Sequence, residues 1–542
     1  MHSHLRTALL CAGACFFAFM TISGVRATPV DPDSPDSKDS PTLQELKALI
    51  VSQQQQIEQL RSTLAQQQQK IDQLAAGKTP QANAGQFSLP NAKKLGEVAT
   101  TTAMIPPVEP APLPAPQAPA GAPTTEASPI SFKIGTADFT PLGFMDFTAM
   151  WRSTNVGSGI GTSFGGIPFL SSVAGNLPET RFSAQNSRIG LKVDSDVLGA
   201  HVRGYLEADF LGFAPTNIAV SSNSNTMRMR LYWVDLTKDR WEVLAGQTWS
   251  MLTPNRKGIS PMPGDIFYSQ DMDTNYQVGL TWTRAPEFRF ILHPNEHVAW
   301  GIALEEPEQY IGGAVVLPST LPATFAPELN AGSNTLSTPN FAPDIISKLA
   351  FDAKRAHVEI AGIARTFHTF NPATGQHYSA VGGGGSLNSN LEIAPGFRLI
   401  ENLYYSDGGG RYIFGLGPDL VVRPDGSVSL VHADSTVDGF EWQAGKNSLL
   451  YSYYGGAYFG KNVGSVGGTP FGYGLAGSGS ANRVIEEGTA GWVQTFWKNP
   501  SYGDLKLITQ YSYVWREPWS PSPAARQTHT NMVYVDLRYD LP

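Results

Sequence analysis

Five basic side chains stand on three short alternating segments: Arg188 and Lys192, then Arg203, then Arg228 and Arg230. Ile189, Leu191 and Val193 alternate with the first two. Val202, Gly204, Leu206, Ala208 and Phe210 alternate with Arg203, Tyr205, Glu207 and Asp209. Met227, Met229, Leu231 and Trp233 alternate with Arg228 and Arg230. Successive side chains of a strand point to opposite faces, so the bases share one face and the apolar residues the other. A ladder of such bases attracts carboxylates and phosphates, which the arginine fork grips with two parallel hydrogen bonds. Glu207 and Asp209 lie on the same face, and a second reading stays open in which they pair with the bases and only keep that face wet. Further along, the stretch from Met251 to Trp282 holds Pro254, Pro261, Pro263 and Gly264 with the acids Asp265, Asp271 and Asp273. An acidic loop set against a basic ladder would impose a transverse field. Asp271-Met272-Asp273-Thr274-Asn275 also echoes the start of a calcium loop, but neither the glycine at the sixth position nor the closing glutamate follows. The ten histidines are scattered, with no HExxH and no His/Cys cluster. The glycine runs at 157–161 and 382–385 are not set in a strand-to-helix unit. No catalytic residue, metal ligand or cofactor is therefore assigned.

The ladder needs strands to carry it, and from Ile130 onward the chain reads as sixteen of them. They are placed at Leu142–Ser153, Phe182–Asp194, Ala200–Phe210, Met227–Leu236, Trp241–Ser250, Thr283–His293, Val298–Glu306 and Pro343–Asp352. The series continues with Ala356–Phe367, His377–Ile393, Phe397–Tyr405, Thr436–Ala444, Ser448–Phe459, Ile485–Trp497, Asp504–Arg516 and Asn531–Leu541. Tight connections such as 195–199, 237–240 and 294–297 alternate with long ones such as 154–181, 251–282 and 307–342. Short turns at one end and long loops at the other, with an even strand number, describe a closed membrane-spanning barrel. The last hairpin has the matching faces. Leu505, Leu507, Tyr511, Tyr513 and Trp515 alternate with Lys506, Gln510, Ser512 and Arg516, and Val533, Val535, Leu537 and Tyr539 alternate with Tyr534, Asp536 and Arg538. Charge makes up only 15% of the 542 residues, while glycine (54) and aromatics (11%) are plentiful, which fits a sheet whose outer face does not meet water. The mild net charge of −8 argues against nucleic acid as a partner.

The N-terminal quarter is organised differently. Residues 1–27 read as a secretory signal peptide, with Ala8–Ile22 as its apolar core and Val25-Arg26-Ala27 as the cleavage site. A lipoprotein reading at Cys15 competes with it. Both cysteines, Cys11 and Cys15, lie in this segment, so the mature chain needs no disulfide. Residues 28–41 are an acidic, disordered segment. Residues 42–76 repeat Leu43, Ile50, Ile57, Leu64 and Ile71 every seven residues, with Leu46, Gln53, Leu60, Gln67 and Leu74 at the matching positions. That is an α-helical coiled coil opened by a capping box at Thr42 and Glu45. Residues 77–129 form a Pro-rich, extended linker. Residues 130–542 form the barrel. Beyond the signal no apolar run is long enough for a membrane-spanning helix.

Ser187-Arg188-Ile189-Gly190-Leu191-Lys192, Tyr205-Leu206-Glu207-Ala208-Asp209-Phe210 and Ala245-Gly246-Gln247-Thr248-Trp249-Ser250 resemble early strands of Gram-negative porins. Val533 to Tyr539 resembles a porin closing strand. With the coiled coil and the Pro-rich spacer, the chain is similar to the DcaP-like outer-membrane porins over its whole mature length. The ending Asp540-Leu541-Pro542 departs from the terminal aromatic of many barrels and puts the assembly signal in doubt. The resemblance implies an all-β, sixteen-stranded antiparallel barrel in the cell outer membrane, a homotrimer, a periplasmic coiled coil and passive uptake of small, often anionic, dicarboxylate-like solutes. By position it also makes 251–282 the constriction loop. The pore-lining set is then Arg188, Lys192, Arg203, Glu207, Asp209, Arg228 and Arg230, facing Asp265, Asp271 and Asp273. A structural role is the alternative, in which residues 28–129 tether the outer membrane to the cell wall and the barrel is the anchor. An outer-membrane hydrolase would need a Ser/His pair that the sequence does not show.

Overall fold

The computed structural model describes residues 130–213, 223–262, 272–322, 325–326, 329, 340–520 and 528–542. The signal peptide, acidic segment, coiled coil and linker lie outside the described residues, as do Asp265 and Asp271. The described part is a closed antiparallel barrel of sixteen strands. They are β1 (Ala137–Arg152), β2 (Arg188–Val197), β3 (Ala200–Asp209), β4 (Arg228–Lys238), β5 (Trp241–Trp249), β6 (Arg284–Asn295), β7 (Val298–Glu305) and β8 (Asp344–Ala353). The series runs on through β9 (Ala356–Asn371), β10 (Gln376–Ala394), β11 (Phe397–Asp407), β12 (His432–Gly445), β13 (Ser448–Phe459), β14 (Asn482–Asn499), β15 (Gly503–Pro518) and β16 (Thr528–Asp540). Each strand pairs with its neighbour in sequence. The seam closes where β1 meets β16, from Phe144↔Asp540 to Arg152↔Met532. Closure removes the sheet edge and satisfies every ladder, as hydrocarbon surroundings demand.

Alternation sets the two faces. On β16, Met532, Tyr534 and Asp536 are buried inward while Leu537 is exposed outward. On β1, Met145 and Phe147 are exposed and Phe144, Asp146 and Arg152 are buried. The outward band is apolar between girdles of Trp and Tyr, such as Trp442 and Tyr405. Strand β4 departs from the expected phase. Ala208 pairs with Met229 but Glu207 pairs with Leu231, so Arg230 is an extra residue in the ladder. Beyond this bulge the faces exchange. Leu231 and Trp233 turn inward, Trp233 stacking on Tyr205 at 5.2 Å, and Tyr232, Val234 and Leu236 turn outward. The expectation that Leu231 and Trp233 face outward is corrected here. Arg228 and Arg230 both remain on the inner side.

Gly143 brings β1 and β2 together. Its φ is +138°, and a Cβ there would lie 2.2 Å from the carbonyl oxygen of Arg188. Backbone in that region belongs to glycine, and forcing another residue into it costs about 1–3 kcal/mol before the clash is counted. Gly143→Ala is therefore expected to lower the yield of folded barrel and its melting temperature. Heat-dependent migration on SDS gels reads both, and an unchanged melting temperature would contradict this reading of the β1–β2 contact.

Candidate functional site

The inner faces of β2, β3 and β4 gather the predicted ladder into one cluster. Arg230 Nε donates to Glu207 Oε1 at 2.6 Å and its Nη1 to Asp209 Oδ2 at 2.9 Å. Arg228 grips Asp209 through Nε at 3.0 Å and Nη2 at 2.7 Å. Arg188 is buried like these two carboxylates but differently placed. Its Nε stands 3.5 Å from Glu207, its Nη1 and Nη2 have no hydrogen-bond partner, and its guanidinium lies 4.9 Å over the Phe144 ring. Lys192 and Arg203 are nearer the short-turn end and half-exposed. Both meet Asp194, at 3.2 and 2.7 Å. Arg228 and Arg230 are thus paired with Asp209 and Glu207, as the second sequence reading had it, Arg188 makes only the longer 3.5 Å contact with Glu207, and Lys192 and Arg203 pair with Asp194 instead.

One base of the cluster was not legible in the sequence. Arg284 opens β6 and stacks 5.1 Å over the Trp249 ring, which Arg230 also approaches at 5.6 Å. It lies within the field of Arg228, Arg230, Asp209 and Glu207. Four guanidiniums (188, 228, 230, 284) against two carboxylates (207, 209) leave a local balance of +2, by 4 − 2. The alternation of β6 is set by Ala285, Glu287 and Arg289, so its first residue carried no signal.

The two described limbs of the loop, 251–262 and 272–282, fold into the barrel and bond to its inner wall. Lys348 Nζ donates to the Thr253 carbonyl at 2.8 Å and to Asn255 Oδ1 at 3.2 Å. Arg256 Nη2 reaches both oxygens of Glu441, at 2.7 and 2.9 Å. The Gly258 amide donates to Asp352 at 3.0 Å, at the end of β8. The returning limb donates from Met272 to Gln510, from Val278 to Glu487 and from Thr281 to Asn402. Gly279, with φ +84°, presses on β12 and β13 so closely that a Cβ would lie 2.4 Å from the Gly456 carbonyl oxygen and 2.5 Å from that of Thr436. Trp249 and Trp282 stack at 3.9 Å, with Tyr276 edge-on at 5.2 Å, and close the loop's two ends.

The loop's acidic residue is placed away from the ladder. Asp273 accepts from the amides of Thr162 and Asn275 and from the Tyr534 hydroxyl, all at 2.9 Å. It sits beside β16, with Arg152 near it. Next to the ladder on the same wall, the barrel seam gathers a second, acidic cluster. There Arg538 meets Asp146 at 2.8 Å and Asp536 at 3.4 Å, and Lys506 meets Asp540 at 2.8 Å and Asp504 at 3.1 Å. Four carboxylates against two cations give −2. The Phe144 ring separates the poles, with Arg538 at 4.4 Å and Arg188 at 4.9 Å from its centroid. The loop between β11 and β12 adds another charged knot. Asp419 meets Arg365 at 2.9 Å and accepts the Arg411 amide at 3.0 Å. Burial pushes the Asp419 carboxyl above its ordinary range, against the pull of Arg365 and Arg411.

The barrel shares its fold with solved outer-membrane channels. The fold is similar to that of the outer membrane channel DcaP of Acinetobacter baumannii, with a TM-score of 0.55 and 16% identity over 76% of this chain and 99% of that one. It also resembles an anion-selective porin from Comamonas acidovorans (TM-score 0.44, 12% identity, 75% of this chain and 100% of that one). A Salmonella typhi OmpF in complex with daunomycin is similar too (TM-score 0.46, 11% identity, 76% of this chain and 100% of that one). No family model matches the chain, and no curated protein matches it at a significant level.

Proposed function

We propose that the chain is a passive diffusion channel of the outer membrane for small hydrophilic anions, dicarboxylate-like in charge. The observation that carries this reading is the +2 cluster of Arg188, Arg228, Arg230 and Arg284 on the inner wall. Around it the loop at 251–282 narrows the path. Arg188, buried and without a hydrogen bond of its own, acts on a permeating carboxylate through its field, while Glu207 and Asp209 hold Arg228 and Arg230 in fixed orientation. The low dielectric of the wall focuses this charge on the narrow lumen and raises the local concentration of anions. In this reading the signal peptide directs the chain to the envelope. The barrel assembles as a homotrimer, and residues 42–76 form a coiled coil in the periplasm, joined by the Pro-rich linker.

The test is single-channel conductance in a planar bilayer under a potassium chloride gradient. Stepwise conductance with a reversal potential on the anion side is expected. Cation selectivity would make the seam carboxylates dominant and overturn the anion assignment. The dense seating of the loop inside the barrel favours a second reading, a closed anchor whose residues 28–129 contact the cell wall. A folded protein that gives no conductance steps would support that reading instead.

A further inference from the structure

The chain between β11 and β12, residues 408–431, is built unlike a loop that stands in water. It opens on Gly408, Gly409 and Gly410 and is apolar at Tyr412, Ile413, Phe414, Leu420, Val421 and Val422, all of them buried. Apolar surface on that scale needs a partner, and the loop finds one inside the barrel. A single turn at Gly410–Tyr412 sends it inward. Ile413 then bridges Thr281, while the Trp282 amide donates to the Tyr412 carbonyl at 2.9 Å and the Phe414 amide to the Leu280 carbonyl at 3.0 Å. The loop therefore lies on the returning limb of the loop at 251–282. Its second half is a small hairpin, Leu420–Val422 paired with Val428–Leu430. Leu420 and Val422 pack there with Ile311 and with Phe367 of β9.

Apolar contacts are non-directional, and here an ionic contact fixes where the loop sits. The Asp419 carboxylate is fully buried and accepts from three separate segments. Arg365 Nη1, on the wall at β9, stands 2.9 Å from its Oδ1. The Arg411 amide of the same loop donates to Oδ1 at 3.0 Å, and the Tyr310 amide of the loop after β7 donates to Oδ2 at 3.0 Å. Asp344 aims the wall arginine by accepting its Nε at 2.9 Å. Asp344 also accepts from Arg411 Nη2 and from the Tyr412 hydroxyl, both at 2.9 Å. Arg365 and Arg411 thus balance Asp344 and Asp419. A guanidinium and two backbone amides that converge on one point make a site for a carboxylate. Cutting the Asp419 carboxylate away strips an acceptor from all three donors at once, and donors left short in a buried place are costly.

We infer that residues 408–431 are a lid over the lumen and that Asp419 is its latch, seated in a carboxylate site made by Arg365 and the amides of Tyr310 and Arg411. The inference deepens the channel reading by naming what closes the pore, and only its conductance arm rests on that reading. The latch is chemical as well as spatial, because the donors meet both oxygens of one carboxylate. A free carboxylate therefore fits the site once the Asp419 side chain is cut back. Chloride, with no second oxygen, does not bridge the donors.

The experiment uses the full chain folded in detergent and reads amide hydrogen exchange across residues 410–422. Asp419→Ala is expected to speed that exchange roughly tenfold or more, as the lid opens locally while the strands keep their protection. Formate, the ion that this substitution deletes, is expected to slow it again along a saturating curve, and chloride at the same ionic strength to leave it fast. The parent chain, and Asp419→Ala combined with Arg365→Met, are expected to ignore formate. Unchanged exchange in Asp419→Ala overturns the latch. A formate effect that is absent, is matched by chloride, or persists in the double variant overturns the site. Should Asp419→Ala not fold alone, its refolding yield with and without formate takes the place of exchange, and no gain from formate overturns the inference. In planar bilayers in potassium chloride, Asp419→Ala is expected to give larger or longer open steps than the parent chain, and equal steps overturn the lid. Silence from both proteins counts against the channel reading, and the exchange result then still decides the latch.

Discussion

Cutting the loop at 251–282 free of the wall is expected to raise single-channel conductance roughly twofold or more, because the narrowest section of a pore dominates its resistance. The variant is Lys348→Met combined with Arg256→Ala. Lys348 is fully buried and ties the loop to β9, because its ammonium binds Thr253, Asn255 and Glu359 at once, the last at 3.0 Å. Removing one partner of a buried ion pair costs about 3–5 kcal/mol, because the other is left uncompensated. Here part of that cost is cushioned, since Glu359 keeps His357 at 3.1 Å and Asn388 at 2.9 Å. Once Arg256 no longer holds Glu441, this limb of the loop keeps only backbone-amide bonds such as Gly258 to Asp352 and Asn255 to Glu359 in place of its two cationic anchors. The sixteen strands do not depend on either anchor, so the barrel is expected to keep its circular dichroism while the loop loses its seat. Planar-bilayer recording with the folded double variant decides the matter. Larger, flickering steps support the loop as the constriction. Steps of unchanged size would mean that ions pass by another route or that the far limb, held at Gln510, Glu487 and Asn402, sets the size by itself.

The barrel was legible because its signal is local. The alternate residues of β1, β15 and β16 are mostly apolar, and the turns at 195–199 and 237–240 are short. Alternation together with turn length therefore locates the strands without any knowledge of what they touch. The bulge at Arg230 was not legible for the same reason. Leu231 and Trp233 are as apolar as Tyr232, Val234 and Leu236, so either phase satisfies the pattern, and only pairing with β3 chooses between them. The loop's course was open because its partners are remote in sequence: Arg256 binds Glu441, and Met272 binds Gln510. Its one described acid, Asp273, was open for a related reason. Asp273 is spent on Thr162, Asn275 and Tyr534, and the negative pole is supplied by Asp146, Asp504, Asp536 and Asp540. These last lie on strands whose inward faces were read correctly but not assembled, because the seam joins the first strand to the last two.

Arg188 and Arg230 stand on β2 and β4, on either side of β3, and approach the same carboxylate, yet their replacement by glutamine is expected to have opposite consequences. Arg230 is the hub of the cluster, fully buried between Glu207 at 2.6 Å and Asp209 at 2.9 Å. Arg230→Gln leaves both acids short of a cation and is expected to cost about 3–5 kcal/mol, read as a lower melting temperature of the folded barrel. Arg188 donates no hydrogen bond and has its charge 3.5 Å from Glu207, so its burial is poorly repaid within the protein. Arg188→Gln is therefore expected to leave the melting temperature unchanged or to raise it. Its cost falls on the permeating ion. A unit charge ~7 Å from an anion is worth at most about 2 kcal/mol at an effective dielectric constant near 20, and salt reduces this. Every 1.4 kcal/mol is a factor of ten, so the anion-to-cation permeability ratio is expected to drop roughly three- to tenfold in dilute salt, with less change at high salt. Reversal potentials at low and high ionic strength measure this. If Arg188→Gln destabilises the barrel and leaves selectivity intact, Arg188 is a structural partner of Glu207 and the anion path lies elsewhere. If it shifts selectivity while the fold holds, the buried charge of Arg188 acts on the solute through its field.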